Sequence, residues 1–331
     1  MVPFTPPVFA QPESLLWSTI PTPSDDDFVV VTPSEVNVLA SGSESIWYAS
    51  DISNVAFYKT DDGGLTWSDD IQTALMNAVP APVLPVWDIA VAPDDEDFIA
   101  VVTDGRQEVY VSDDGGETWD SAFLSSVPPW DASLLIADVA ISPEYEGGER
   151  DIAVATRNPV DGLVAGDVWV VQTAALSAWG EQEVYDLQPD ALTGMDVSAV
   201  AFSSEYADDD TILAVASDSN DTYLCTGYRD TDTNTTNWDV TEPNNYVELC
   251  ELDEDSPRED QIVYVSMLLP ADYSGDSASG RQVYLSYFAN TDEDDVYWVD
   301  DVEVNRRNLD RGSPIAVYSL GWLGGTLCAG E

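Results

Sequence analysis

Residues 112–119 read SDDGGETW and residues 60–67 read TDDGGLTW. Both octets place a hydroxyl residue, an aspartate two positions later, a glycine pair and a closing Thr-Trp at matching positions. Two aspartates beside glycines suggest a metal loop or a pair of catalytic carboxylates. The same residues also suit a tight hairpin turn. Asp and Ser or Thr oxygens accept the turn's backbone N–H groups, glycine adopts positive φ, and tryptophan folds its apolar ring back onto the sheet. What surrounds the octets decides between these readings. Each directly follows a strand-like run, VAFYKT at 55–60 and EVYVS at 108–112.

Working outward, those runs belong to an internal repeat. DFVVVTP ends at Pro33, VWDIAVAP at Pro93, IADVAISP at Pro143, VSAVAFSS at Ser204 and IVYVSMLLP at Pro270, and SPIAVYSL begins at Ser313. Each is a short apolar or alternating strand closed by a turn. Second strands are expected at EVNVLAS, DFIAVVTD, RDIAVATR, DTILAVASD and RQVYLSYF. Third strands are expected at SIWYAS with VAFYKT, then EVYVSDD, GDVWVVQT, DTYLCTG and DVYWVDD. No stretch carries a 3.6-residue apolar stripe with caps, so long helices are expected to be nearly absent. Short strands repeating at this period describe an all-β propeller of four-stranded antiparallel blades, about five of them plus a partial sixth. The irregular last blade also suits a fragment of a longer repeat protein, and ESLLWSTIPTP at 13–23 could supply an outer strand to close the ring.

With Ser112, Asp114, Gly116, Thr118 and Trp119, the second octet matches S-x-D-x-G-x-T-W. Thr60, Asp62, Gly64, Thr66 and Trp67 match it with Thr for Ser. The pattern resembles the Asp-box, or BNR, repeat of a class of β-propellers. It is complete in two places and leaves traces at SAWG around Trp179 and TNTTNW ending at Trp238. The resemblance implies that Asp62 and Asp114 cap turns at the blade periphery and are not catalytic acids. It leaves function open, because one fold hosts many activities. One branch, the sialidases, uses an arginine cluster, a Tyr–Glu pair and an Asp, with an R-I-P motif that this chain lacks; TRNP around Arg157 is the closest approach. A glycosidase of that type requires two or three of the sparse arginines to converge at the channel mouth beside a tyrosine and an acidic pair. A second branch is similar to photosystem II assembly-factor propellers, which bind a protein client. A third comprises exported bacterial surface-layer-type proteins with irregular blades.

Composition narrows the choice. Of 331 residues, 63 are Asp or Glu against 10 Lys or Arg, for a net charge of -53, and Lys59 is the only lysine. Such a surface repels nucleic-acid phosphates and anionic lipid, and attracts cations. Histidine is absent, which removes Ser-His-Asp and Cys-His systems and histidine metal sites. No run reaches the ~20 apolar residues of a membrane-spanning helix.

Residues 1–10 are expected to be a signal-peptide remnant or disordered arm, ending at a cleavage-like Val8-Phe9-Ala10, with the propeller occupying 11–331. Cys225 and Cys250 lie in strand-like runs that could be bridged in an oxidising compartment, and Cys328 has no evident partner. Asn220 and Asn234 begin glycosylation sequons. Asp230, Asp232 and Asn234 resemble the start of a calcium loop, although Thr235 stands where its glycine belongs and Thr241 where its glutamate belongs. Acidic runs such as Asp208–Asp210 read as solvated turns or weak calcium sites. These features look most like the third branch and point to an exported, non-enzymatic structural or binding scaffold at the cell surface, expected to self-assemble in a surface layer with cations or salt neutralising its acidic surface. Calcium is its possible ion, and its partners are further copies, other envelope proteins or glycans.

Overall fold

A computed structural model describes residues 36–128, 130–145, 147–158, 166–184, 196–217, 221–238, 246–251, 264–288, 295–306, 317–323 and 326–330. The architecture is a β-propeller with few helices. The first sheet is β1 (Val38–Ser41), β2 (Trp47–Asp51) and β3 (Ala56–Thr60), and a bridge from Lys59 to Ser68 marks its outer edge. The second is β4 (Asp88–Ala92), β5 (Asp95–Thr103), β6 (Glu108–Ser112) and β7 (Asp120–Ser121). The third is β8 (Leu135–Ile141), β9 (Asp151–Arg157), β10 (Val168–Gln172) and β11 (Gly180–Glu181). The fourth is β12 (Asp196–Phe202), β13 (Thr211–Ser217), β14 (Asp221–Asp230) and β15 (Thr235–Asn237), with β16 (Tyr246–Glu251) also on β14. The fifth is β17 (Tyr264–Leu268), β18 (Gln282–Phe288), β19 (Asp295–Asp300) and β20 (Glu303–Arg306). A further pair is β21 (Ser319–Leu323) and β22 (Thr326–Gly330). The two α-helices among the described residues, α1 (Asp70–Met76) and α2 (Tyr206–Asp209), are short connectors.

The core lies between blades. Successive strand residues point to opposite faces, so one strand serves two interfaces. On β9, Ile152 and Val154 pack toward the second blade while Ala153 and Ala155 pack toward the fourth. Burial on both faces explains why these strands read as nearly unbroken apolar runs. The first strands of neighbouring blades, β1, β4, β8, β12 and β17, stand side by side around the axis.

The first blade differs from its expected register. EVNVLAS holds β1, the strand that packs on β4, and SIWYAS forms the second strand by itself. The Ser41–Ser45 turn separates them, with Gly42 N–H donating to Ile46 O at 2.9 Å. DFVVVTP, expected as the inner strand, lies outside the described residues, as do residues 1–10 and the closing segment 13–23.

Cys225 is a buried free thiol, which corrects the expected bridge. In the β14–β16 pairing Cys225 stands opposite Tyr246, and Cys250 opposite Thr222. Three residues along a strand separate the two backbones by roughly 10 Å, beyond the ~7 Å limit for a disulfide.

Candidate functional site

The octets are built alike. Ser112 Oγ donates to Asp114 Oδ1 at 2.8 Å and accepts from Gly116 N–H at 2.9 Å. Asp114 accepts Thr118 N–H at 2.8 Å and the Thr118 hydroxyl at 2.6 Å. Thr60, Asp62, Gly64 and Thr66 repeat this arrangement, with the Thr66 N–H and hydroxyl at 2.8 and 2.6 Å from Asp62. The Thr66 hydroxyl, then its N–H, then the Thr60 hydroxyl hold the Asp62 carboxyl down at about 2. For Asp114 burial pushes upward, but the Thr118 and Ser112 hydrogen bonds outweigh it and the pKa falls. Carboxylates held ionised by their own turns are poor proton donors. Trp119 donates to Gly116 O at 3.1 Å and sets its ring 6.3 Å from Phe57 of the preceding blade. The later tryptophans make the same reach without a complete octet: Trp179 donates to Ala122 O and Trp238 to Gln182 O, each at 2.8 Å. The clasp therefore joins blade to blade as well as hairpin to sheet.

The most reactive-looking group lies elsewhere, on the inner strands. Asp88 on β4 accepts Ile89 N–H at 2.9 Å and, across the interface, Val139 N–H at 3.1 Å. Asp138 on β8 accepts the same Val139 N–H at 3.0 Å and reaches forward to Val200 N–H on β12 at 2.9 Å. Both carboxyls thus accept the one Val139 N–H, which brings their charges together, and a proton on the pair relieves the repulsion. Burial raises both pKa values, and the Asp88 charge raises that of Asp138 further. The sequence reading missed this dyad; its one available signal is that each aspartate stands five residues before a strand-closing proline, Pro93 and Pro143. What no local reading supplies is that the two side chains meet.

Around the dyad, the Arg106 guanidinium lies over the Trp87 ring, 5.0 Å from its centroid. Burial lowers the Arg106 pKa, Asp88 opposes that shift and Arg157 adds to it. Arg157 is also within electrostatic reach of Asp196, whose carboxyl accepts Asn158 N–H at 2.7 Å. Tyr264 on β17 feels Asp138 and Asp88, and burial followed by those two charges pushes its phenol up to about 12. Arg106 and Arg157 thus gather near an acidic pair and a tyrosine. The other described arginines are dispersed. Arg150 pairs with Asp94, Arg229 with Asp151 and Arg281 with Asp301.

The calcium-loop candidates are engaged in the fold. Asp230 Oδ1 accepts the N–H groups of Asp232 and Thr233 at 3.1 and 3.2 Å. Asn234 presents its carbonyl oxygen to the Arg229 guanidinium at 2.8 Å, which puts a cation where the loop would need one of its own. Among the described residues, no three His, Cys, Asp or Glu side chains are grouped to hold a metal ion. Asp209, from one acidic run, is buried and accepts from Ser203, Thr211 N–H and Gly275 N–H. The Asn234 amide nitrogen, where a glycan would attach, donates to Ala178 O at 3.2 Å. Asn220 lies outside the described residues. Of Cys250 and Cys328 only the strand positions are described.

No protein-family model matches the sequence. No curated protein matches it by sequence. Among solved structures the chain is similar to the Dos1 propeller, with a TM-score of 0.51 and 11% identity, covering 90% of this chain and 76% of that one. It is also similar to Kuenenia stuttgartiensis hydrazine synthase, with a TM-score of 0.52 and 12% identity, covering 86% and 70%. The GH74 xyloglucanase of Xanthomonas campestris aligns over 80% of this chain but 36% of its own, at a TM-score of 0.46 and 14% identity. The chain spans about a third of that enzyme's length. At these identities the likeness establishes the fold alone.

Proposed function

We propose that this chain is a non-enzymatic, exported propeller scaffold, binding partners through blade edges and end loops and self-associating where cations or salt neutralise its carboxylates. The observation that carries the non-enzymatic reading is that the carboxylates best placed for chemistry are held by the fold itself. Asp62 and Asp114 cap their own turns, and Asp88 and Asp138 bridge adjacent blades through backbone N–H groups. Among the described residues most other carboxylates are exposed or half-buried, and at net -53 close approach of two copies requires counterions. Sedimentation velocity across separate calcium and sodium chloride titrations tests this. Growth of ordered assemblies with rising cation supports the reading, and a monomer throughout refutes the self-associating part.

A glycoside hydrolase is the second reading, favoured by the gathering of Arg106, Arg157 and Tyr264 around the dyad. Glycosidases of the retaining and inverting kinds separate their two carboxyls by roughly 5–9.5 Å. Asp88 and Asp138 instead meet on one backbone N–H, that of Val139, so both carboxyls are engaged by the fold before any sugar arrives. Turnover of aryl glycosides or polysaccharides that disappears in Asp138→Asn would reverse the order of the two readings.

A further inference from the structure

Residues 71–87, IQTALMNAVPAPVLPVW, carry no charged side chain, in a chain of net charge -53. They form most of α1 and the connection from the first blade to β4, and they divide between two surroundings. Leu75, Ala78, Pro82 and Val86 are buried, whereas Met76, Val79 and Val83 are 43%, 86% and 63% exposed. The loop is held in that posture from three elements. Tyr110 on β6 donates its hydroxyl to Pro80 O at 2.8 Å, and Ser50 on β2 donates to Val86 O at 2.6 Å. In the β5–β6 turn, Asp104 N–H donates to Val83 O at 2.9 Å while its carboxyl accepts Val83 N–H at 2.8 Å. Turning Val83 inward breaks that clasp, and turning Val79 inward pulls Ala78 from the core or Pro80 from Tyr110.

In an antiparallel four-stranded blade, the turn from second to third strand and the connection to the next blade lie at the same end. That end of the first two blades also exposes Val55 at 45%, in the β2–β3 turn, and Phe123 at 42%, after β7. Both hold positive φ, 56 and 54, a conformation that branched and bulky side chains disfavour. The turn itself does not call for an aromatic ring. Phe123 stands four residues after Trp119, and Glu183, four after Trp179, keeps the same geometry at φ 55 with a charged side chain. Apolar side chains grouped at one end of the fold and held outward mark contact surface.

Charge limits what that contact can be. Copies of so acidic a chain repel, and screening by salt removes the repulsion without supplying an attraction. Apolar burial supplies one where two copies can meet without setting carboxylate against carboxylate. Loop 76–83 meets that condition. Asp69 and Asp70 lie at the far end of α1. Asp104 is half-buried and held by Val83 N–H and, at 2.9 Å, by the Thr103 hydroxyl. Arg106, in the same turn, lies over the Trp87 ring. A basic partner would find its countercharge on the acidic flanks, whereas a second copy finds here a surface that does not repel it. We propose that residues 76–83 form a homotypic contact, in which Met76, Val79 and Val83 of two copies pack together about a two-fold axis with Val55 and Phe123 at the margin. A two-fold contact sets the same patch on both sides, so a charge-free surface meets its own match. This inference rests on the self-associating part of the proposed function and names its surface: cations screen, and apolar burial holds.

The test is sedimentation velocity of the full chain in sodium chloride and calcium chloride series matched in ionic strength, at room temperature and in the cold. Association is expected to strengthen with ionic strength, equally in the two salts, and to weaken on cooling. Val79→Ser combined with Val83→Ser removes apolar surface at exposed positions without adding charge. It is expected to raise the dissociation constant of the contact at least about tenfold. Val79→Asp is expected to do the same. Leu65→Asp adds the same charge at a 61% exposed position in the first octet and is expected to leave the constant nearly unchanged. Circular dichroism checks the folding of each variant. Unchanged association in the double serine variant, an equal loss in Leu65→Asp, or assembly in calcium but not in sodium overturns the inference and leaves self-association standing. A wild-type monomer in every condition refutes the self-associating reading, and this surface with it.

Discussion

Asp167 offers a test of whether burial or hydrogen bonding governs the acids of this fold. Its side chain is 1% exposed. It accepts Val168 N–H at 2.7 Å, Glu183 N–H at 2.8 Å and Val184 N–H at 2.9 Å. Glu183 sits at φ 55, a left-handed residue that turns successive N–H groups onto the carboxyl like an anion nest. Three such donors by themselves favour the ionised form. Burial outweighs them, and Glu181 adds repulsion, so the pKa stands at about 7 against an ordinary 3.8. A folded pKa above the unfolded one contributes stability at low pH that is lost as pH rises through the folded value. At 1.36 kcal/mol per unit the full effect is about 4 kcal/mol, with roughly 3 kcal/mol of it lost between pH 5 and pH 8. Asp167→Asn removes the titration. Its amide oxygen can keep the Val168 and Val184 bonds, but its NH2 then faces the Glu183 N–H, a mismatch costing ~1–3 kcal/mol. Urea unfolding of both proteins from pH 5 to pH 8 separates this group from the general acidity, which the two share. The variant is expected to be less stable at pH 5, with the gap closing by roughly 3 kcal/mol by pH 8. A gap that stays constant or widens with pH refutes the claim that burial wins.

Two further outcomes follow from packing. Arg229 and Asp151 pair at 3.0 Å with both side chains fully buried, and Arg229 also binds Gln182 and Asn234. Arg229→Met should therefore lower unfolding stability by ~3–5 kcal/mol, and adding Asp151→Leu should restore most of it; equal losses in the single and double variants would show that the pair is not the cause. At Gly116, φ is +89 and an added Cβ would meet Ile71 Cδ1 at 2.5 Å, whereas Gly105 has φ +69 and open space. Thermal unfolding should show Gly116→Ala losing ~1–3 kcal/mol more than Gly105→Ala, and similar midpoints for the two would mean that the α1 contact yields freely.

Much of the architecture was legible because its causes are local. The apolar runs of β5, β9 and β13, a turn after each inner strand and the Asp-Gly-Thr-Trp octets all act within a few residues. The hydrogen bonds of Asp62 and Asp114 span two to four positions, so spacing alone implied them. Misreading began where local patterns are degenerate. EVNVLAS and SIWYAS are each acceptable as a first, second or third strand, and only packing on β4 assigns them. The calcium-like run at Asp230 is ambiguous for a related reason. A turn and a metal loop use the same residue types, and the Arg229 guanidinium that occupies Asn234 comes from the preceding strand.

By itself, then, the sequence determined the strand-and-turn repeat, the clasping role of the octets and an acid balance that disfavours nucleic acid. These depend on neighbouring residues and on summed charge, which survive without a fold. The tertiary structure alone decided which groups meet. Arg229 finds Asp151 across 78 positions, Asp88 and Asp138 meet on the Val139 N–H across a blade interface, and Tyr264, Phe288 and Tyr318 gather with one another. Such meetings depend on the angle between blades, which arises from packing along the whole interface and is written in no single segment.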